Sequence, residues 1–298
     1  MSGFVLSACS TVDLSPEWLH SRSVCIVNFN YCLNGEWHKD DFGQTITPHE
    51  LYTRMLAGES ATTSQVALGE YLDYFRGFMQ QGKDVLHVTL SSGISSSYGS
   101  ACLAAEQLSN EYPERTIYVV DSLCASAGYG LLIDRLADLR DEGMELDELH
   151  TWAEEHKLEV NHLFFSSDLT FFVKGGRVSP IAGAVGGMLK ICPLMHVATD
   201  GSLQVKEKIR TKHKTKLRTV KRMEELAERG TDYAQRVFIS HADCLGDAQE
   251  VAQLVQQKFP HIRDNEVHIF DIGATIGVHT GPGTVALFYW GNPQRWIA

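Results

Sequence analysis

The chain has 298 residues, 44% of them apolar and 21% charged, with a formal net charge of −11. That length suits one large or two ordinary domains with a sizeable core, and the acidic balance argues against general nucleic-acid binding. No window approaches the ~20 uninterrupted apolar residues of a membrane span, and no basic stretch precedes the first apolar run, so a cytoplasmic protein without stable membrane insertion is expected.

In chain order, residues 4–8 predict a first strand, and Ser15-Pro16 an N-cap with proline at the first helical position. Val24 to Phe29 is a second apolar run, and Leu33-Asn34-Gly35-Glu36 a turn. Thr47-Pro48 repeats the capping pattern and opens a short helix ending near Met55. Residues 58–65 read as a polar link. A helix follows with the stripe Leu68, Leu72, Phe75 and Met79, closed by Gly82. Val85 to Leu90 reads as a buried strand, Ser91 to Ser97 as a hydroxyl-rich turn, and the residues from Tyr98 as a helix. Thr116 to Val120 predicts another strand, ending at Asp121-Ser122. The next helix carries Leu132, Leu136 and Leu139, and a charged helix covers 145–157.

Such alternation of strands and helices predicts a parallel sheet with crossover helices. Beyond residue 159 the pattern changes. Strands are expected at 162–166, 194–198, 202–209, 236–240, 266–270 and 284–290, with only two clear helices, near 212–229 and 246–258. The expected architecture is α/β with two domains: an N-terminal parallel-sheet α/β domain over 1–158 and a C-terminal α+β domain over 159–298.

Several constellations could carry chemistry. Thr62-Thr63-Ser64 and Ser91-Ser92 with Ser95 each precede a helix. They serve either as caps or, if neighbours in space, as a site for a carboxylate or phosphate. In Lys174-Gly175-Gly176-Arg177, either Arg177 reaches an anion or the segment is a surface turn. His279, in the glycine-dense loop Gly273 to Gly283, is either structural or shares a proton with an anion. The alternating cations Lys206, Lys208, Arg210 and Lys212, continued by Lys214, Lys216 and Arg218, form a solvated strand edge or a docking surface for an acidic partner. No H-x-x-x-H or H-E-x-x-H occurs, and the seven cysteines include no C-x-x-C pair, so neither a metal nor a disulfide framework is expected. Gly77 to Lys83 has Walker-like spacing, but Asp84 replaces the Ser/Thr and the segment closes a helix instead of opening one. Ser91-Ser92-Gly93 lacks the G-x-S-x-G elbow. No cofactor is expected.

Taken together, Thr62-Thr63-Ser64-Gln65, Leu90 to Ser95, Asp121-Ser122, Lys174 to Ser179 and Gly277 to Gly283 resemble the DegV family of fatty-acid-binding proteins, which includes the acyl-carrying B subunits of bacterial fatty-acid kinase. The resemblance spans nearly the whole chain. It implies two domains enclosing one long-chain fatty acid, with Thr62, Thr63, Ser92, Arg177 and His279 around its carboxyl group. It also implies a separate ATP-dependent kinase catalytic subunit that phosphorylates that carboxyl in phospholipid synthesis, facing Lys206, Lys208, Arg210 and Lys212. In this chain Cys9-Ser10 stands where members often have Asp-Ser, and Gln65-Val66 where Gln-Pro is usual. The alternative expectation is a serine hydrolase or acyltransferase using Ser92 and His279.

Overall fold

The computed structural model describes residues 3–179 and 191–293. In chain order the first part holds β1 (Phe4–Cys9), α1 (Pro16–Ser21), β2 (Val24–Val27), β3 (Asn30–Leu33), β4 (Glu36–Lys39), α2 (Pro48–Leu56), β5 (Ala61–Ser64), α3 (Leu68–Met79), β6 (Asp84–Thr89), α4 (Ser97–Glu111), β7 (Ile117–Asp121), α5 (Ala127–Asp141) and α6 (Leu146–His156). The second part holds β8 (Val160–Phe165), α7 (Thr170–Lys174), β9 (Ile191–Val197), β10 (Leu203–Arg210), α8 (Lys212–Leu226), β11 (Val237–His241), α9 (Leu245–Lys258), β12 (Val267–Asp271), α10 (Ala274–Thr280) and β13 (Val285–Trp290).

The four strands β2-β1-β6-β7 form an all-parallel sheet. The second sheet, in the order β10-β9-β8-β13-β11-β12, is antiparallel except for β11 against β12. The sequence pattern anticipates both. The caps also form as read: the Ser15 and Thr47 hydroxyls accept the amides of Trp18 and Glu50.

Five elements depart from the sequence reading, among them β3 and β4, which form an antiparallel pair around the expected Leu33 to Glu36 turn where no strands are expected. Residues 61–64, expected as part of a polar link, are β5, antiparallel to β3 in a small sheet of order β4-β3-β5. A four-residue strand of Ala-Thr-Thr-Ser has no apolar alternation to betray it, and its pairing partner lies about thirty residues away. Thr170–Lys174 and Ala274–Thr280 are helices where only turns and a glycine-rich loop are expected. Gly277 and its neighbours give the latter little intrinsic helicity, so its ends are held from elsewhere in the chain.

Helix α5 joins the two halves. It follows β7 of the parallel sheet and packs against β8, β11 and β13 of the mixed one. It is therefore buried on nearly every side, not only along its leucine stripe. That burial includes Asp134 and Asp138, which a buried helix tolerates only when paired. Arg236 Nη1 lies 2.6 Å from Asp134, Arg263 Nη1 lies 2.5 Å from Asp138, and Arg22 binds both carboxylates. The cations come from both halves, so the network ties α1, α5 and the mixed sheet together.

A second tie is the β9–β10 turn. The Ser91 hydroxyl donates to the Gly201 carbonyl at 2.9 Å, and the turn backbone lies directly on Gly93. A Cβ at Gly93 would stand 2.5 Å from the Gly201 carbonyl carbon and 2.7 Å from the Asp200 oxygen.

Inside the parallel sheet His87 is fully buried, its Nδ1 2.8 Å from the Ser7 hydroxyl. Burial lowers its pKa to about 3 and raises that of the neighbouring Cys9 thiol to about 12. Both are neutral core groups.

Two outcomes follow. Gly93→Ala must separate the serine loop from the β9–β10 turn and should cost about 1–3 kcal/mol in urea unfolding. Gly99→Ala, where a Cβ meets nothing within 4 Å in the helix α4, should cost nothing; equal behaviour of the two would refute the contact. Below pH 6.5 the unfolded chain protonates His87 and the folded one does not, so stability held above that pH is lost on acidification towards pH 3. At pH 5 the loss from this group is about 2 kcal/mol. Unfolding curves at pH 7 and 5 should therefore diverge less for His87→Gln than for the unaltered chain.

Candidate functional site

The site begins with β5. Adjacent residues of a strand face opposite sides. Thr63 pairs with the buried Tyr31 on the inner face, and Thr62 with Cys32 on the outer one. The Thr63 hydroxyl lies 2.7 Å from His279 Nε2. Of the two neighbouring threonines, it is Thr63 that points inward.

His279 lies near the end of α10, and α10 is held at its start by two buried aspartates from the first half. Asp40 accepts the amides of Ala274 at 3.2 Å and Thr275 at 3.0 Å. Asp13 accepts the amide of Gly273 at 3.0 Å and the hydroxyl of Ser126 at 2.5 Å. Carboxylates suit the positive end of a helix, where free amides point outward. Burial nevertheless raises both pKa values, that of Asp13 strongly. Behind the helix, Tyr31, Leu51, Tyr52 and Met55 pack with Ile272 and Val278. Burial lowers the His279 pKa to about 4, helped by the charge of Arg177, so the ring is neutral at pH 7. Its Nδ1 is buried against Gly175 with no hydrogen-bond partner among the described residues.

Arg177 follows the short α7. Its Nε donates to the Ile94 carbonyl at 3.2 Å and its Nη1 to the Gly175 carbonyl at 2.5 Å. No carboxylate pairs with it among the described residues, and half-burial lowers its pKa. Arg177 therefore bridges the serine loop to the wall that carries His279.

Thr63, Arg177 and His279 all border a cavity of about 200 Å³. Its polar rim also includes Gln65, Ser95 and Ser96. Most of the remaining wall is apolar: Phe29 and Leu90 from the first half, Phe164, Phe172, Leu203 and Phe288 from the second. The cavity thus lies off the carboxyl ends of the parallel strands and against the mixed sheet, as ligands do in open α/β folds. A separate outer cleft of about 310 Å³ shares the same Thr63–Arg177–His279 wall and is bordered by Thr62 and Lys174.

The serine loop departs from the sequence reading. Ser92 is exposed and borders neither space; its amide donates to Asp121 Oδ1 at 3.0 Å. Ser91 is committed to Gly201, which leaves Ser95 and Ser96 facing the cavity. Ser92 and His279 share neither space, and His279 Nε2 is engaged by Thr63. Thr62 borders only the outer cleft. Asp13, Asp40 and Ser126 were not anticipated; an isolated acid or serine carries no signal in the sequence that it will be buried at a helix start.

The basic run also divides. Lys206, Lys208 and Arg210 lie on β10, the sheet edge, with a bulge between Val205 and Glu207. Lys212 begins α8 and binds Asp247 at 2.7 Å. Lys216 is buried on Asp247 and Glu250, while Arg218 and Arg222 clamp Glu207. Lys212, Lys216, Arg218 and Arg222 are thus taken up in ion pairs, whereas Lys214 is exposed with no ion pair among the described residues.

Comparison with known proteins agrees with this architecture. The family model described as "Uncharacterised protein, DegV family" matches residues 8–292. A DegV domain-containing protein of Clostridium perfringens is 30% identical over 99% of this chain and 100% of its own length. Among solved structures, a stearic-acid-binding protein from Eubacterium ventriosum superposes with a TM-score of 0.84 at 26% identity, covering 98% of this chain and 99% of that one. The Streptococcus pneumoniae fatty acid kinase B3 protein, loaded with linoleic acid, shares the fold with a TM-score of 0.84 at 21% identity, covering 98% and 100%. With the matched segment running through both sheets and the wall between cavity and cleft, this chain belongs to the DegV family.

Proposed function

We propose that the protein binds one long-chain fatty acid in the cavity and presents its carboxyl group to a separate ATP-dependent fatty-acid kinase subunit, itself performing no bond chemistry. The observation that carries this reading is an apolar cavity ended by the Thr63–His279–Arg177 wall. A tail of about 14 methylenes, at ~0.8 kcal/mol each, supplies ~11 kcal/mol of gross burial energy, offset in part by association and ordering costs. A carboxylate cannot be buried without partners. Here Thr63, Arg177 and His279, with Ser95 and Ser96 in place of Ser92, supply them.

The proton arrangement supports this role. An unpaired buried N–H is rarer than an unpaired acceptor, which assigns the lone pair to Nδ1 of His279 and the proton to Nε2. Nε2–H then donates to Thr63, whose own hydroxyl hydrogen is left for an acceptor in the cavity. A carboxylate is such an acceptor, and its hydrogen bonds are of the stronger, charge-assisted kind.

We place the domain boundary at 158/159, since the parallel sheet draws only on residues before it and the mixed sheet only on residues after it. The fatty acid would then lie between domains. The kinase would approach the cations of β10, the exposed Lys208 and Arg210 with the half-buried Lys206 beside them; Lys212, engaged by Asp247, contributes less. A cytoplasmic place in phospholipid synthesis fits a carrier of this kind. The hydrolase alternative has no comparable support, because Ser92 faces solvent.

Native mass spectrometry of the purified protein should find one long-chain fatty acid per chain, and a clean protein that refuses added fatty acid would overturn the reading. Thr63→Val and Ser95→Ala should each weaken fatty-acid binding by about tenfold, the scale of one lost hydrogen bond to a charged group. Ser92→Ala should stay within about twofold by the same reckoning. In an assay with an added kinase subunit, Lys208→Glu with Arg210→Glu should slow head-group phosphorylation while leaving fatty-acid retention unchanged. Unchanged phosphorylation would move the docking surface elsewhere.

A further inference from the structure

Gly175 and Gly176 stand side by side and meet different needs. Gly176 has φ +72, in the left-handed region, and a Cβ there would meet nothing within 4 Å. Gly175 closes α7 at φ −76, which suits any residue. Its requirement is steric: a Cβ would run into Nδ1 of His279 and stand 3.2 Å from Cγ of that ring. Helix α7 is not free to retreat. Phe171, one turn earlier, lies on Gly281, where a Cβ would run into the Phe171 ring. The Gly175 carbonyl also accepts from Arg177 Nη1, so one residue touches both the ring and the cation of the wall.

The groups around the ring leave Nδ1 without use for a proton. Thr63 of β5 takes Nε2. Arg177 brings a positive charge, and Lys174 a second one at the rim of the outer cleft. Glu59 on the cleft border is engaged by Arg54, and Asp13 and Asp40 by amides at the start of α10. A proton on Nδ1 would have neither an acceptor among the described residues nor solvent, and would lie near a fixed cation.

We propose that Gly175 is a positioning residue for the head-group site: standing against Nδ1 where a side chain or a water would otherwise reach it, it fixes His279 as the neutral Nε2–H tautomer and keeps the Thr63 hydroxyl hydrogen for the ligand at any pH between about 5 and 8. The inference rests on the fatty-acid reading for the identity of the ligand, but not for the state of the ring. Without the seal, Nδ1 opens to the outer cleft, which Gly175 and His279 both border. Water there lets the ring exchange tautomers or take a second proton. In the other tautomer Nε2 is an acceptor, Thr63 donates to it, and the ligand loses that hydrogen.

The test follows ring and ligand separately in delipidated full-length protein. Nitrogen NMR of the histidine side chains, with the His279 signals identified by their loss in His279→Gln, reads the tautomer. The unaltered protein should carry its proton on Nε2 and none on Nδ1 from about pH 8 to pH 5. An Nδ1 proton in that range would overturn the proposal with no variant needed. Gly175→Ala should move the titration of His279 up towards the ordinary histidine range. Gly176→Asn suits a left-handed backbone and should leave the ring as it is. With a fluorescent long-chain fatty acid, Gly175→Ala should bind about tenfold more weakly at pH 8 and about threefold more weakly at pH 5, where the opened ring is charged and attracts the carboxylate. Gly176→Asn should stay within about twofold at both. An unshifted ring in Gly175→Ala, an equal loss at both pH values, or like behaviour of the two variants would overturn the positioning role. An unaltered protein with the expected ring but no affinity for the fatty acid would overturn the fatty-acid reading and leave the hold of Gly175 on the ring standing.

Discussion

Two carboxylates buried at the start of a seven-residue helix hold the candidate site together. Gly273 to Thr280 has too many glycines, and too few residues, to stay helical unaided. Asp13 and Asp40 supply acceptors for the amides of Gly273, Ala274 and Thr275. The helix axis is thereby fixed against the first half, and His279, near its far end, meets Thr63 at hydrogen-bond distance. The two aspartates do not touch the cavity; they act through the position of the ring. Their raised pKa values record the cost of this arrangement, since burial penalises each charge more than the amides relieve it.

That arrangement needs the two halves to stay in register. Helix α5 provides the frame, because both sheets pack on it. Its buried Asp134 and Asp138 collect arginines from α1 and from the second half. A helix with acids on a buried face would be costly in isolation. Here the acids are satisfied only when both halves are in place, so the network favours one relative placement of the sheets. The Gly93–Gly201 contact adds a second point of registry beside the serine loop.

The wall is polar without being strongly charged. Burial keeps His279 neutral, and the nearby Arg177 discourages its protonation further. One cation, one neutral ring and several hydroxyls make a setting in which a single anionic group gains stabilisation without confronting a fixed carboxylate. The adjoining apolar surface comes from strands of the mixed sheet and from residues that follow the parallel strands. A polar end on an oily space is the physical requirement for an amphipathic acid, and it calls for no nucleophile.

Much of the fold was legible along the chain. Buried apolar runs marked the strands of both sheets, Ser15 and Thr47 announced their helices, and the loss of strand–helix alternation near 159 marked the change from a parallel to a mixed sheet. The motifs around Thr63, Ser91 to Ser95, Arg177 and His279 were also visible, as was the family they resemble. What the sequence could not decide was direction. Whether Thr62 or Thr63 faces inward depends on the pairing of β5 with β3, and that pairing is invisible in a four-residue polar strand. Whether Ser92 or Ser95 reaches the cavity depends on Gly201, 110 residues after Ser91, taking up the Ser91 hydroxyl. The basic run looked continuous because alternation ignores partners; only the fold brings Asp247 and Glu250 to Lys212 and Lys216. Local pattern sets which elements form, since it reflects nearby backbone and side-chain preferences. Which atoms face one another was left to contacts between segments far apart in the chain.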